Sequence, residues 1–147
     1  MTMHEDERRT FEARCLQALA RREYSRAELR AKGEGLPAET VEAVLDALAE
    51  KGWQSDARFV ERYVESKAGQ GNGRLKILQG LRQKGVDNAL LREALDSVDW
   101  LEVADAVYVR KYAKRAISPA ERAKRQRFMA QRGFSFDEIN AVMKKHG

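Results

Sequence analysis

Hydrophobic residues recur along this chain at the spacing of amphipathic helices, and the pattern is clearest over residues 73–95. Three leucines there stand three residues apart and so share one helix face; they are Leu75, Leu78 and Leu81. Lys84 and Gly85 mark the end of this helix, because a base suits the negative end of the helix dipole and glycine accepts the left-handed conformation that closes the last turn. A second apolar stripe after Gly85 predicts another short helix.

The motif that ends in Gly85 occurs three times. An apolar residue, two intervening residues, a base and a glycine stand at residues 29–33, 81–85 and 129–133. Apolar residues follow the second and third glycines at the same four offsets, and the first copy matches if Glu34 and Gly35 are a two-residue insertion. A period near fifty residues, with three helices per unit, is typical of a tandem helical array.

These patterns predict an all-α fold, a tandem array of three three-helix repeats forming an elongated curved ribbon. The predicted repeats are residues 11–53, 54–99 and 100–147. The first helix is expected from Phe11 to Arg22, after a frayed polar segment.

Capping boxes predict where two other helices begin. Ser25 with Glu28, and Ser118 with Glu121, have the spacing at which each serine accepts from the third backbone N–H of its helix. Residues 69–74 are expected to be a flexible link, with Asn72 capping the helix that follows.

Two tryptophans, Trp53 and Trp100, stand where one predicted repeat passes to the next. We expect both to be wedges that bury apolar surface between repeats, since burying a large apolar side chain is worth roughly 1.5–3 kcal/mol. The alternative is an exposed aromatic ring that stacks on a base or docks a partner.

Positive charge is concentrated toward the carboxyl end of the chain. The chain of 147 residues has a net charge of +5, but residues 1–53 carry 9 Lys/Arg against 11 Asp/Glu, whereas residues 101–147 carry 11 against 5. From Arg110 to Arg132 there are nine bases and one acid, Glu121. Such a run is often only a solvated helix face, but here the neutralising acids are missing, which favours contact with a polyanion.

Residue types that carry catalysis are sparse. The two histidines, His4 and His146, stand at opposite ends of the chain, so neither a metal cluster nor an activating base for Cys15 is expected. Cys15 is predicted to be a small buried residue. The glycine-rich residues 69–74 lack the preceding strand and the Gly-Lys-Ser/Thr ending of a nucleotide-binding loop. The sequence therefore predicts a binding protein, with no catalytic residues, cofactor or metal.

Location is predicted from what the sequence lacks. It contains no apolar run of membrane-spanning length, no secretory signal, and only one cysteine. A cytoplasmic monomer without a membrane anchor is therefore expected.

The order of four motifs resembles the RecX family, regulators of the RecA recombinase, over residues 14–145. The motifs are Ser25-x-x-Glu-Leu-Arg-x-Lys, Asp56-x-Arg-Phe59 with Tyr63-Val64, Leu81-Arg-Gln-Lys-Gly85-Val86, and Gln126-Arg-Phe128 with Arg132-Gly-Phe134. The resemblance implies tandem three-helix repeats that lodge in the groove of the RecA filament on single-stranded DNA. It also implies suppression of ATP hydrolysis and strand exchange, and hence a role in recombination, DNA repair and the SOS response.

The residues expected to contact RecA or DNA are bases of the second and third repeats. Those of the third are predicted to share two helix faces, one with Lys111, Lys114 and Arg115 and one with Lys124 and Arg127. The full set is Arg74, Lys76, Arg82, Lys84, Lys111, Lys114, Arg115, Arg122, Lys124, Arg125, Arg127 and Arg132.

Two other functions fit the same residues. Short helices with tight turns and a basic third repeat are also typical of a DNA-binding protein that acts without RecA. A helical-repeat adaptor for an unrelated protein is the second alternative.

Overall fold

The computed structural model describes residues 3–116 and 118–147, and every regular element within these ranges is a helix. The predicted all-α class is confirmed. The helices are α1 Met3–Arg21, α2 Arg26–Ala31, α3 Ala38–Glu50, α4 Asp56–Gly69, α5 Arg74–Arg82, α6 Asn88–Asp96, α7 Trp100–Lys111, α8 Pro119–Gln131 and α9 Phe136–His146. None of these helices combines the length and apolar character needed to cross a membrane.

The first helix begins eight residues before the predicted start at Phe11, so the expected fraying is wrong for residues 3–10. Glu5 and Asp6 lie in its first turn, where negative charge interacts favourably with the helix dipole. Met1, Thr2 and the side chain of His4 lie outside the described residues.

Both predicted serine caps are present. Ser25 Oγ accepts from the Glu28 N–H at 3.1 Å, while Glu28 Oε1 accepts from the Ser25 N–H at 3.0 Å. Ser118 Oγ accepts from the Glu121 N–H at 3.1 Å. Serines cap two other helices, since Ser55 Oγ accepts from the Arg58 N–H at 3.2 Å at the start of α4 and Ser135 Oγ accepts from the Glu138 N–H at 3.1 Å at the start of α9.

Left-handed glycines follow α5 and α8 as predicted, with φ of 68° at Gly85 and 99° at Gly133. After α2 the left-handed residue is Gly35, with φ of 93°, and not Gly33. After α2 the chain continues in turns that include Gly33, because the Gly33 N–H donates to Arg30 O and the Glu34 N–H donates to Ala31 O. The left-handed residue is therefore displaced by two residues, which is the length of the insertion of Glu34 and Gly35.

The chain forms two compact units. Unit 1 consists of residues 1–62 and 81–91, and unit 2 consists of residues 63–80 and 92–147. The core of unit 1 joins α1, α2 and α3; its buried side chains include Phe11, Cys15, Leu29, Val41, Val44, Leu45 and Leu48. Burial raises the pKa of the Cys15 thiol to about 11, as suits a packing residue.

The core of unit 2 is built from the same motif positions. Its buried side chains include Ala104, Tyr108, Met129, Phe134, Ile139, Val142 and Met143. Leu29, Leu81 and Met129, which begin the three copies of the glycine motif, are all fully buried. The repeated spacing therefore correctly predicted the residues at the centre of each copy.

Two apolar predictions are wrong. Leu75 is 52 % exposed, and Ile77 is the buried residue in the first half of α5. Trp53 is 47 % exposed, with Lys51 Nζ 4.8 Å from its ring centroid. Trp100, in contrast, is buried, and its Nε1–H donates to Leu95 O at 2.8 Å.

Residues 70–73 are not a loose link. The Gly73 N–H donates to Arg132 O at 2.7 Å, and the Leu75 N–H donates to Gly133 O at 3.1 Å. A methyl group on Gly73 would come within 2.5 Å of the Gly133 carbonyl, so the backbones approach more closely than side chains allow. The Asn72 side-chain amide donates to Lys67 O at 3.0 Å, and so closes α4 instead of capping α5.

Candidate polyanion-binding surface

The basic run of unit 2 is divided between the end of α7, the connection 112–118 and α8. Helix α7 ends at Lys111 because Tyr112 adopts an extended conformation, with φ of −125° and ψ of 101°. Lys114 and Arg115 therefore lie in the connection, and the predicted helix face shared with Lys111 is wrong. All three side chains are exposed.

Arg125 differs from the other bases of the run because it is buried, with 5 % of the residue exposed. Its guanidinium donates to Glu121 Oε1 at 3.1 Å, to the Tyr108 hydroxyl at 2.9 Å and to the Lys114 carbonyl at 2.7 Å. The hydrogen bond to Tyr108 is the main cause that raises the pKa of Arg125. These bonds tie α7, the connection and α8 together, so Arg125 positions its exposed neighbours.

A cluster of three aromatic rings lies beside this arginine. The Tyr108 and Tyr112 centroids are 5.3 Å apart, and Phe128 meets Tyr112 edge-on at 5.8 Å. Arg125 Cζ lies 4.4 Å from the Tyr112 centroid, a cation–π distance. Burial is the main cause that raises the pKa of Tyr112. Two other bases lie near the Phe128 ring, since Lys111 Nζ is 5.2 Å and Arg132 Cζ 5.6 Å from its centroid.

The exposed bases of α8 are Arg122, Lys124 and Arg127, which we call the α8 bases. Lys124 and Arg127 are three residues apart on the helix and so lie on neighbouring positions of one face. Within the described residues, none of the α8 bases has a carboxylate within 4 Å. Their charge is therefore available to an external anion.

The remaining predicted bases are placed differently. Arg74 pairs with Asp96 at 3.0 Å and Lys76 is exposed, both in unit 2. Arg82 is exposed and Lys84 pairs with Glu28 at 3.4 Å, both in unit 1. The structure thus brings Lys114 and Arg115, which we call the connection bases, and the α8 bases into one unit, while Arg82 and Lys84 belong to the other.

An open groove of about 720 Å³ runs between the end of α4, α7 and α8 in unit 2. Its apolar floor includes Val103, Val107 and Phe128, and Arg110, Lys111 and Arg132 also line it. Arg110 belongs to the basic run but was not among the predicted contact residues, because nothing in the spacing of the run distinguishes groove-lining bases from the rest.

Metal ligation has no candidate in the described part of the chain. No three His, Cys, Asp or Glu side chains there stand close enough together to hold an ion. The histidine nearest to a carboxylate is His146, whose Nε2 lies 2.5 Å from Asp105 Oδ1, and Lys145 Nζ lies 3.7 Å from Asp105 Oδ2. This cluster ties α9 to α7.

Comparison with known proteins gives a consistent family. Models described as the second and third three-helix domains of RecX match residues 55–95 and 97–143. The regulatory protein RecX of Chromohalobacter salexigens is 41 % identical over 133 residues, 88 % of each chain. That of Chromobacterium violaceum is 39 % identical over 139 residues, covering 93 % of this chain and 91 % of the relative.

Solved structures share the fold. The crystal structure of RecX from Lactobacillus salivarius superposes with a TM-score of 0.81 at 19 % identity, covering 96 % of this chain and 97 % of that one. A second crystal structure, of a regulatory protein RecX, gives a TM-score of 0.77 and covers 97 % of this chain. With the sequence relatives, these similarities show that the chain belongs to the RecX family of regulatory proteins.

Proposed function

We propose that this protein binds the RecA filament on single-stranded DNA and inhibits RecA ATP hydrolysis and strand exchange. The observation that carries the proposal is the set of exposed, unpaired bases in unit 2, on a member of a family of regulatory proteins. RecA is proposed as the partner because the sequence motifs resemble those of the RecX family. On this proposal the protein acts as a cytoplasmic monomer in recombination, DNA repair and the SOS response.

The contact would be made mainly by residues 100–147, the third of three proposed repeats. The α8 bases and the connection bases supply the positive charge for this contact, and the proposal requires no cofactor. Such charge draws the protein to phosphates or to acidic filament surface, and the attraction weakens as salt rises. A bound regulator then occupies the filament groove and blocks the motion or the incoming duplex that strand exchange requires.

The test is RecA ATPase activity on single-stranded DNA, titrated with this protein. We expect concentration-dependent inhibition that is relieved by raising the salt concentration. Unchanged ATPase activity at saturating protein would reject the proposal.

The unpaired bases also support a second function, direct DNA binding without RecA. A gel shift with single- and double-stranded DNA separates the two. Tight binding in the absence of RecA, together with no effect on RecA ATPase, would favour the second function.

A further inference from the structure

A second, smaller pocket lies within unit 2, between the last turn of α4, residues 70–73 and α5. Its volume is about 420 Å³. Three bases line it, Lys67, Lys76 and Arg132, together with Gln70 and Asn72. No carboxylate is among its described lining residues.

The three bases are not neutralised by the protein. Within the described residues, none of them has a carboxylate within 4 Å. Arg132 Nε is buried and has no hydrogen-bond partner among the described residues, which is costly for a charged donor. Lys67 Nζ lies 5.6 Å from the centroid of the Tyr63 ring, which also lines the pocket.

The backbone that carries these bases is held tightly. The carbonyls of Arg132 and Gly133 accept from the first residues of the α5 segment, Gly73 and Leu75. The carbonyl of Lys67 accepts both the backbone N–H and the side-chain amide of Asn72, each at 3.0 Å. The backbone positions that carry the three bases are therefore fixed relative to one another, which lowers the cost of bringing their side chains to one ligand.

We infer that this pocket binds a phosphoryl group, either of a single-stranded nucleic acid backbone or of a nucleotide. A phosphoryl group offers several acceptor oxygens at tetrahedral angles, which suits donors that come from three chain segments, whereas a planar carboxylate offers two. The inference deepens the proposed function, because Lys76 and Arg132 belong to the predicted contact set. It rests on the pocket, however, and can be tested without RecA.

The test compares two variants that each lose two positive charges. Lys67→Gln with Lys76→Gln alters the pocket, while Arg92→Gln with Lys144→Gln removes two exposed bases of the same unit that do not line it. Binding of a fluorescein-labelled oligothymidylate, of ATP and of inorganic pyrophosphate is measured at low salt by anisotropy or calorimetry. Melting curves confirm that both variants fold.

We expect wild-type binding that is weakened about tenfold or more in the pocket variant and less than threefold in the control. Selective loss of oligothymidylate binding assigns the pocket to a nucleic acid backbone. Selective loss of ATP or pyrophosphate binding assigns it to a free nucleotide. Equal binding by both variants, or no wild-type binding of any probe, overturns the inference. RecA ATPase inhibition, measured in parallel, tests the proposed function separately.

Discussion

Units 1 and 2 have cores of similar design but differ in their balance of charge. Both bury the apolar residue that begins each glycine motif, together with most of the apolar offsets that follow. Unit 1, however, carries 13 Lys/Arg against 14 Asp/Glu, whereas unit 2 carries 15 against 9. The shared core accounts for the fold, and the difference in charge points to the unit that binds.

In the described part of unit 1, five of the thirteen bases pair with carboxylates of the same unit; they are Arg22, Arg26, Arg30, Arg58 and Lys84. Arg26 and Arg30 both pair with Glu42, at 3.3 and 3.0 Å, and Arg58 pairs with Glu23 at 2.8 Å. Exposed pairs of this kind each contribute only about 0–1 kcal/mol, but they neutralise part of the positive charge of unit 1. In the described part of unit 2, three bases pair with carboxylates, namely Arg74, Arg125 and Lys145, and the α8 bases have no carboxylate partner.

Removing the shared core residue is expected to have the largest effect, and it should be similar in both units. Leu29→Ala in unit 1 and Met129→Ala in unit 2 each empty a fully buried site. Each should lower the free energy of unfolding by about 2–5 kcal/mol, measured by urea denaturation. Wild-type stability in either variant would break the equivalence of the two cores.

Arg125 tests whether a buried base of unit 2 differs from a surface base of unit 1. Arg125→Lys keeps the charge but cannot reproduce a guanidinium that reaches Glu121, Tyr108 and the Lys114 carbonyl together. It should lower the melting temperature clearly more than Arg58→Lys, the matched change in the pair with Glu23. Equal shifts would mean that Arg125 does not hold the connection in place.

The α8 bases test the functional half of the comparison. Arg122→Gln, Lys124→Gln and Arg127→Gln together should raise the concentration for half-inhibition of RecA ATPase about tenfold, because they remove exposed, unpaired charge. The control is Arg8→Gln, Arg9→Gln and Arg14→Gln on α1, which removes three exposed bases from unit 1. An equal loss of inhibition in both variants would show that inhibition depends on the net charge of the protein and not on where the bases lie.

The smallest effect is expected from pH on the ion pairs of unit 1. The hydrogen bond from Arg30 is the main cause that lowers the pKa of Glu42 from 4.5 to about 2. A lowered folded-state pKa stabilises the fold above the unfolded value, and this contribution is lost as pH falls from about 4.5 to about 2. Glu42→Gln should therefore flatten the acid side of the stability curve.

The control for that measurement is Glu61→Gln in the middle of α4, an exposed carboxylate of unit 1 without a described ion-pair partner. It should leave the acid limb of the curve unchanged. If both substitutions act alike, the pairing of Glu42 with Arg30 does not stabilise unit 1.

The predictability of this molecule from sequence depended on the range of the interactions. Leu29, Leu81 and Met129 were predicted because helical periodicity and the glycine stops are local signals. Arg125 was not distinguished from its neighbours, since its partner Tyr108 lies 17 residues away. The same holds for Lys67, which joins Arg132 only through the tertiary fold.

The tryptophans show the same limit. Trp53 and Trp100 occupy similar positions in the sequence pattern, yet one is 47 % exposed and the other 8 %. Trp100 is the first residue of α7 and bonds back to Leu95, whereas Trp53 precedes α4 and gives its carbonyl to Arg58. Position along a repeat did not determine burial because the neighbouring side chains differ.

The most direct test of the account is the salt dependence of binding to RecA-coated single-stranded DNA, for wild type and for the variant without the α8 bases. If these three bases each neutralise a phosphate, the slope of log affinity against log salt should fall by about 2 in the variant. The same slope in both proteins would contradict the claim that the unpaired charge of unit 2 holds the polyanion.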